Sequence, residues 1–215
     1  MTEPRTGTRA PVRRAGRALA VLLTALVLAL TVPTGTARHE HATTAAPPAQ
    51  AAAALPRSEP RRIVIPRIGV DAPLTPVGLD RARRLMPPPL DRPALAGWYT
   101  GAPTPGSAGT AVTVGHLDSA TGPAVFHRLH RLRPGDRLDV RRGDGRTAVF
   151  RVDAVRTYAK SAFPTVEVYA PRHGNRPELR TITCAGPYDP ATGYASNVVV
   201  FSHLAGVRPT AASGQ

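Results

Sequence analysis

The segment Glu178–Cys184, with the sequence ELRTITC, ends at the only cysteine of this 215-residue chain. Its apolar and β-branched residues predict a strand over Leu179–Cys184, and the following Ala185-Gly186 predicts a turn. A side chain at the end of a strand can reach a cleft, whereas a structural cysteine lies more often in mid-strand among aliphatic residues. A free cysteine outside the cell is either paired between chains or kept for its reactivity, and the position of Cys184 is typical of the second use.

Further strands are predicted on both sides of this segment, separated by proline and glycine. The 24 prolines and 19 glycines disfavour helix-rich folds, because they break long helices. One short helix is predicted over Pro123–Leu129. Regular turns without alternating helices indicate a mostly β fold, a closed or nearly closed antiparallel barrel. The predicted strands are Ile63–Ile68, Thr110–Val114, Arg137–Arg141, Thr147–Tyr158, Leu179–Cys184 and Asn197–Ser202.

The N-terminal sequence predicts export. Residues 1–17 form a basic segment, and residues 18–32 form an uncharged, mostly apolar run that fits either a signal-peptide core or a short signal anchor. The arginines keep the first segment in the cytoplasm. We therefore expect the remainder outside the cell, held at the cell membrane by a single anchor or secreted after cleavage near Ala37.

The remainder divides into a linker, a domain and a tail. Residues 33–60 are rich in alanine and proline without apolar periodicity, which predicts a disordered linker. The β domain is predicted over residues 61–206, followed by a C-terminal tail over 207–215. The single cysteine excludes an intrachain disulfide framework and zinc sites built on paired cysteines.

The net charge of +14 does not predict a nucleic-acid partner. The chain has 28 basic residues, of which only Lys160 is a lysine, and the arginines of the domain are scattered through turns and strand edges. Aromatic residues are few, and no helix-turn-helix, zinc finger or stacking motif is present. A non-catalytic barrel that binds anionic cell-wall polymers through its arginines is one alternative function for such a domain.

A cysteine nucleophile needs a proton-transfer partner, because a free thiol is mostly protonated at neutral pH and the leaving amine must gain a proton. His116 is the best-placed histidine. It follows the predicted strand Thr110–Val114 directly, and Gly115 beside it permits close approach of the backbone.

Several motifs in this order resemble the sortase family, and most closely the class F sortases of actinobacteria. The resemblance covers about Arg61–Leu204. The matching motifs are TVGHLDS (113–119), GPAVF (122–126), YAK (158–160), FPT (163–165), ELRTITC (178–184) and NVVVF (197–201).

The resemblance implies an eight-stranded sortase-type β-barrel with one or two short helices. It implies that Cys184 is the nucleophile and His116 the general acid and base of a cysteine transpeptidase. Such an enzyme cleaves an LPxTG-like sorting signal at the C-terminus of a surface protein through an acyl-enzyme thioester. It then transfers that protein to an amine of a cell-wall precursor.

The sequence departs from the common sortase pattern at one position. Many sortases have an arginine in the strand after the cysteine, and the aligned position, thirteen residues after Cys184, is Asn197. An asparagine amide can donate a hydrogen bond to an oxyanion but supplies no positive charge. Thr183, beside the cysteine, and Arg180, on the same strand face by even spacing, are the predicted substrate contacts.

A second enzymatic alternative is an L,D-transpeptidase-like cysteine enzyme that acts on peptidoglycan itself. The serine-x-glycine-cysteine signature of that class is missing, since Ile182-Thr183 precedes Cys184. No cofactor is expected, and no metal, because no carboxylate cluster suits calcium.

Overall fold

The computed structural model of the chain describes residues 52–210, which form ten strands, one short helix and three 3-10 turns. The helix α1 is Thr165–Tyr169, and the 3-10 turns are Pro66–Ile68, Leu129–Arg131 and Lys160–Ala162. The strands are β1 (Pro60–Ile65), β2 (Val70–Val77), β3 (Ala96–Tyr99), β4 (Thr110–Val114), β5 (Asp118–Ser119), β6 (Gly122–Pro123), β7 (Arg137–Arg142), β8 (Arg146–Ala159), β9 (Glu178–Asp189) and β10 (Gly193–Pro209).

Eight of these strands form a closed barrel in the order β1-β2-β3-β4-β9-β10-β8-β7. Six of the eight strand pairs are antiparallel, and two, β2–β3 and β4–β9, are parallel. The predicted mostly β fold with an eight-stranded barrel and a short helix is confirmed. The parallel β4–β9 pair departs from a purely antiparallel barrel, and it brings the carboxyl end of β4 opposite Ile182, two residues before Cys184 in β9.

Each predicted strand overlaps a barrel strand, but two barrel strands were not predicted. Pro66–Ile68, predicted as the second half of the first strand, forms a 3-10 turn. β2 contains Pro73 and Pro76, which lack the backbone N–H of a ladder and weaken the strand signal. β3 is four residues long and includes Gly97. Both strands are fixed by their neighbours, since the β2–β3 pairing runs from Leu74 opposite Ala96 to Val77 opposite Tyr99.

The helix predicted over Pro123–Leu129 is wrong. Gly122 and Pro123 belong to β6, and the next backbone N–H groups donate to carbonyls elsewhere instead of closing helical turns. Ala124 donates to Leu117 at 3.1 Å, and Val125 donates to Pro93 at 2.8 Å. Isolated turns follow, with the His127 amide donating to the Ala124 carbonyl at 3.1 Å, and a 3-10 turn then starts at Leu129.

Buried apolar side chains form two clusters on the two faces of the sheet. The larger cluster includes Leu179 of β9 and Phe150 of β8. The smaller one includes Ile182 of β9, Phe201 of β10 and Val168 of α1. Because successive side chains of a strand point to opposite faces, Cys184 lies on the face of Ile182, the face that α1 covers.

The domain extends beyond both predicted boundaries. Residues 52–59, predicted as linker, run along the barrel, where the Leu55 amide donates to the Gly106 carbonyl at 2.8 Å and the Leu55 side chain packs on the larger cluster. The buried Arg142 donates to the Pro56 carbonyl and holds this segment in place. At the other end, β10 continues to Pro209.

The predicted cytoplasmic segment 1–17, the apolar run 18–32 and most of the linker lie outside the described residues. So do residues 211–215. Among residues 52–210, no helix has the length and apolar character needed to cross a membrane.

Candidate active site

Strand pairing brings three of the predicted site residues to one place. Cys184 of β9 is opposite Asn197 of β10, and Ile182 of β9 is opposite Val114, the last residue of β4. His116 follows β4 by two residues and therefore lies near the Cys184 end of this sheet. All three side chains line one cavity of about 660 Å³.

The cavity has an apolar wall and a charged rim. Its charged lining residues are Asp80, Arg83, Arg84 and Lys160, and its apolar lining residues are Leu85, Met86, Pro87, Val114, Phe163, Tyr169 and Ile182. Asp80 accepts a 2.9 Å hydrogen bond from Arg84 Nε, so this pair is neutral. The remaining charges of the lining, on Arg83 and Lys160, are positive.

Cys184 is half-buried and is a free thiol. Lys160 Nζ lies 3.8 Å from Cys184 Sγ, within hydrogen-bond distance for sulfur. Within residues 52–210, this is the one side-chain hydrogen bond to the sulfur. The thiol therefore faces an ammonium group across the strand that carries Asn197.

His116 is half-buried and is held by the loop that precedes β3. Its Nε2 lies 2.7 Å from the carbonyl oxygen of Pro88. Since a carbonyl only accepts, Nε2 carries the hydrogen of this bond. A Cβ on Gly115 would lie 2.5 Å from Val125 Cγ1 and 2.6 Å from Phe126 Cδ2. Only glycine therefore lets the backbone before His116 pack so closely against Val125 and Phe126.

Asp118 does not orient His116 in this structure. Its carboxylate accepts a hydrogen bond from the hydroxyl of Tyr194, whose ring lies 5.1 Å from the ring of Tyr188. The bond to Asp118, helped by burial, raises the pKa of Tyr194 to about 12. Asp118 thus ties β10 to the small β5–β6 hairpin beside the cavity.

Thr183 lines the cavity, but its side chain is buried on the opposite face of β9 from Cys184. Its Oγ1 is buried without a hydrogen-bond partner. Thr183 was predicted to contact the substrate, and in this structure only its backbone is placed to do so.

The structure places Arg180 away from the cavity. Its side chain is 1% exposed and donates to Glu178 at 2.6 Å and to the Val168 carbonyl at 2.9 Å. Its guanidinium also lies 4.7 Å from the centre of the Phe201 ring. Even spacing does put Arg180 on the Cys184 face, but α1 covers that face at this point, so Arg180 is a structural residue and not a substrate contact.

The residues missed by sequence reasoning are Lys160 and the loop 79–93. Lys160 carried two signals, because it is the only lysine among 28 basic residues and lies in the YAK motif at 158–160. Asp80, Arg83 and Arg84 carried none, since the loop crosses the cavity only because β2 and β3 are parallel neighbours. No group of three or more metal-ligating side chains lies within the described part of the chain.

The described residues thus form a closed eight-stranded barrel with a free thiol and a histidine at one cavity. The family model described as "Sortase domain" matches residues 63–205. The chain belongs to the sortase family. The family is one of cysteine transpeptidases, and this chain has its fold.

Solved structures share the fold. The SrtA sortase from Actinomyces oris is 23% identical, with a TM-score of 0.55 over 80% of this chain and 93% of that one. A lid mutant of sortase A from Corynebacterium diphtheriae is 23% identical, with a TM-score of 0.51 over 70% and 72% of the two chains. Sortase A from Listeria monocytogenes is 17% identical, with a TM-score of 0.52 over 72% and 91%. No curated protein matches the chain in sequence.

Proposed function

We propose that this protein is a class F sortase that cleaves an LPxTG-like sorting signal and transfers the surface protein to an amine of a cell-wall precursor. The observation that carries the proposal is the single cavity in which the Cys184 thiol, His116 and the Asn197 amide meet an apolar wall. The class F motifs at 113–119, 158–165 and 178–184 support the subclass.

In the first half-reaction, the Cys184 thiolate attacks the carbonyl carbon after the threonine of the signal. An S–C bond forms, the carbonyl oxygen becomes an oxyanion, and the C–N bond then breaks. His116 in its protonated form gives one proton to the departing amine. The products are a thioester on Cys184 and the released C-terminal peptide.

In the second half-reaction, an incoming amine attacks the thioester. Neutral His116 takes a proton from the attacking nitrogen, a new C–N bond forms, and the C–S bond breaks to restore the Cys184 thiolate. With water in place of the amine, the same steps give hydrolysis. The acceptor that reaches the cavity therefore decides the product.

The cavity suits a short extended peptide with an apolar start. Leu85, Met86, Pro87, Phe163, Tyr169 and Ile182 contribute its apolar lining. Leucine and proline of the signal bury apolar surface against this lining. The Thr183 side chain is buried, so the peptide contacts this residue only through the backbone.

We also propose that the domain acts outside the cell, next to the membrane. The basic segment 1–17 followed by the apolar run 18–32 supports a signal anchor, or a signal peptide cleaved near Ala37. Surface proteins that carry the sorting signal leave the cell by the same route and would meet the enzyme there.

The test is to trap the acyl-enzyme. The full chain is incubated with a library of sorting-signal peptides and with scrambled versions, and the intact mass is measured. We expect a mass increase equal to the N-terminal peptide fragment, located at Cys184, and reversed by an added amine with formation of the ligated product. Cys184→Ala should give no adduct, and His116→Gln should slow turnover by about 100-fold or more.

Three outcomes contradict the proposal. If the Cys184→Ala variant still cleaved the signal, Cys184 would not be the nucleophile. A thioester formed from a peptidoglycan stem peptide, and from no sorting signal, would indicate the L,D-transpeptidase-like activity. Binding of an anionic wall polymer that weakens with salt and ignores Cys184, without any adduct, would indicate the non-catalytic barrel.

A further inference from the structure

Lys160 is placed to act on the cysteine. It follows Ala159, the last residue of β8, and starts the 3-10 turn Lys160–Ala162. Its Nζ lies 3.8 Å from Cys184 Sγ, although the two residues are 24 positions apart in the sequence. Its side chain lines the same cavity as Cys184, His116 and Asn197.

The barrel explains how the lysine reaches the sulfur. β10 lies between β8 and β9, and Asn197 is opposite Tyr158 on one side and Cys184 on the other. Two strand spacings separate the β8 and β9 backbones, about 10 Å, a gap that only a long side chain crosses. The short side chain at position 197 leaves the sheet face open for that crossing.

The other charged groups around the cavity are committed or lie farther along its rim. Arg84 is paired with Asp80, and Arg180 is buried against Glu178. His116 Nε2 is bonded to the Pro88 carbonyl. Arg83 lines the cavity but has no hydrogen bond to the sulfur in the described structure. Among these groups, Lys160 alone brings a positive charge into contact with Cys184.

A positive charge at this distance stabilises a thiolate relative to a thiol. When the sulfur bonds to the substrate carbonyl carbon, that carbon becomes tetrahedral, and the same ammonium lies close to the oxygen on which negative charge develops. It keeps its proton throughout, so no bond to Lys160 is made or broken. Because Lys160 is exposed, dissolved salt screens part of the effect.

We propose that Lys160 is a third catalytic residue, the cation that holds the Cys184 thiolate, and that Asn197 supplies the neutral hydrogen bond to the oxyanion. The two tasks expected of one arginine at position 197 are thus divided between Lys160, at the start of the turn after β8, and Asn197 of β10. The catalytic role of Lys160 rests on the proposed function. The test of its contact with Cys184 does not rest on it, because thiolate reactivity is measured without any peptide.

The test compares Lys160→Met, Lys160→Arg and Arg176→Met in the full chain. Arg176 is an exposed arginine before β9, so its variant removes one positive charge away from the cavity. The measurement is the rate of Cys184 alkylation by iodoacetamide at neutral pH, followed by intact mass. We expect Lys160→Met to react about tenfold more slowly, and the other two to react within about threefold of the unaltered chain.

Salt provides a second readout. Raising the salt from about 0.05 M to about 0.5 M should slow alkylation of the unaltered chain and leave Lys160→Met nearly unchanged. Equal alkylation rates for Lys160→Met and the unaltered chain would overturn the proposal. An acyl group found on Lys160 as a hydroxylamine-resistant amide would also overturn the proposal, because the lysine would then be an acyl acceptor and would not keep its charge.

The two proposals fail separately. If no sorting-signal peptide acylates Cys184 but Lys160→Met still slows alkylation, the lysine remains the thiolate partner and the substrate class is wrong. If peptides acylate Cys184 and Lys160→Met changes neither alkylation nor turnover, the sortase activity stands and the role of Lys160 is wrong.

Discussion

Asn197 and Cys184 are direct register partners on the antiparallel strands β10 and β9. Side chains of opposite residues in such a pair lie on the same face of the sheet. The side chain of Asn197 is therefore next to that of Cys184, and both residues line the cavity.

Replacing Asn197 with alanine should lower kcat/KM for a sorting-signal peptide by about 100-fold to 1,000-fold, because one oxyanion donor is lost. KM should change little. Ser196→Ala, one position earlier on β10, is the matched control and should retain nearly full activity. Unchanged turnover of Asn197→Ala would mean that the oxyanion is bound by another group.

Replacing Gly115 with alanine should displace His116 and destabilise the fold. The added Cβ would lie 2.5 Å from Val125 Cγ1 and 2.6 Å from Phe126 Cδ2, and such overpacking costs about 1–3 kcal/mol. Thermal unfolding and peptide turnover should both show the loss. Gly206→Ala is the control, since its Cβ would meet no atom within 4 Å, and an equal effect of the two variants would contradict the argument.

Glu178 should support stability above acidic pH. Burial raises the pKa of its carboxyl, but hydrogen bonds from the Arg172 amide, Arg180 and His173 outweigh burial and hold the pKa below the ordinary value of 4.5. The stabilisation is therefore fully present above that value and is lost as the pH falls through the lower, folded-state pKa.

The variant Glu178→Gln leaves the buried Arg180 without its ion pair and should cost about 3–5 kcal/mol at neutral pH. The difference from the unaltered chain should shrink in acid, as chemical denaturation at several pH values would show. Glu59→Gln removes an exposed pair with Arg61 and should change stability by less than about 1 kcal/mol. A pH-independent difference for Glu178→Gln would refute the linkage.

Tyr194 should resist ionisation because of Asp118. The hydrogen bond raises the pKa of Tyr194 to about 12 from its ordinary value of 10.0. It therefore contributes stability below the ordinary value that is lost as the pH rises through the raised one. In an ultraviolet titration of the five tyrosines, Asp118→Asn should move one phenol to lower pH. Tyr194→Phe should remove that phenol, and an unchanged titration in Asp118→Asn would contradict the assignment.

Much of the barrel could be predicted from local sequence. The segments around Thr110–Val114 and Leu179–Cys184 have strong strand patterns with turn residues after them, and the structure has strands there. His116, Cys184 and Asn197 each follow from a sequence motif, and the strand pairing brings them into one cavity. The turn predicted at Ala185-Gly186 is wrong, because β9 continues to Asp189 and Cys184 lies within the strand.

The remainder depends on contacts between distant residues. The alternation along β9 predicts the sheet face on which Arg180 lies. It does not predict that α1 and Glu178 cover Arg180 there, so the residue is buried where the sequence predicted a substrate contact. Lys160 reaches Cys184 across an intervening strand, a relation that no local pattern contains. The loop 79–93 enters the cavity because β2 and β3 pair in parallel. Local sequence does not predict this pairing, because the prolines of β2 weaken its strand pattern.

The parallel β4–β9 pair joins residues that are 68 positions apart, and Lys160 joins the same site from a third part of the chain. Before these strands associate, the thiol has neither a cation nor a histidine beside it. On the proposed role of Lys160, the cysteine of an unfolded chain reacts as an ordinary thiol. We therefore expect faster alkylation of Cys184 only once the barrel is complete, so that the alkylation rate would report the last stage of folding.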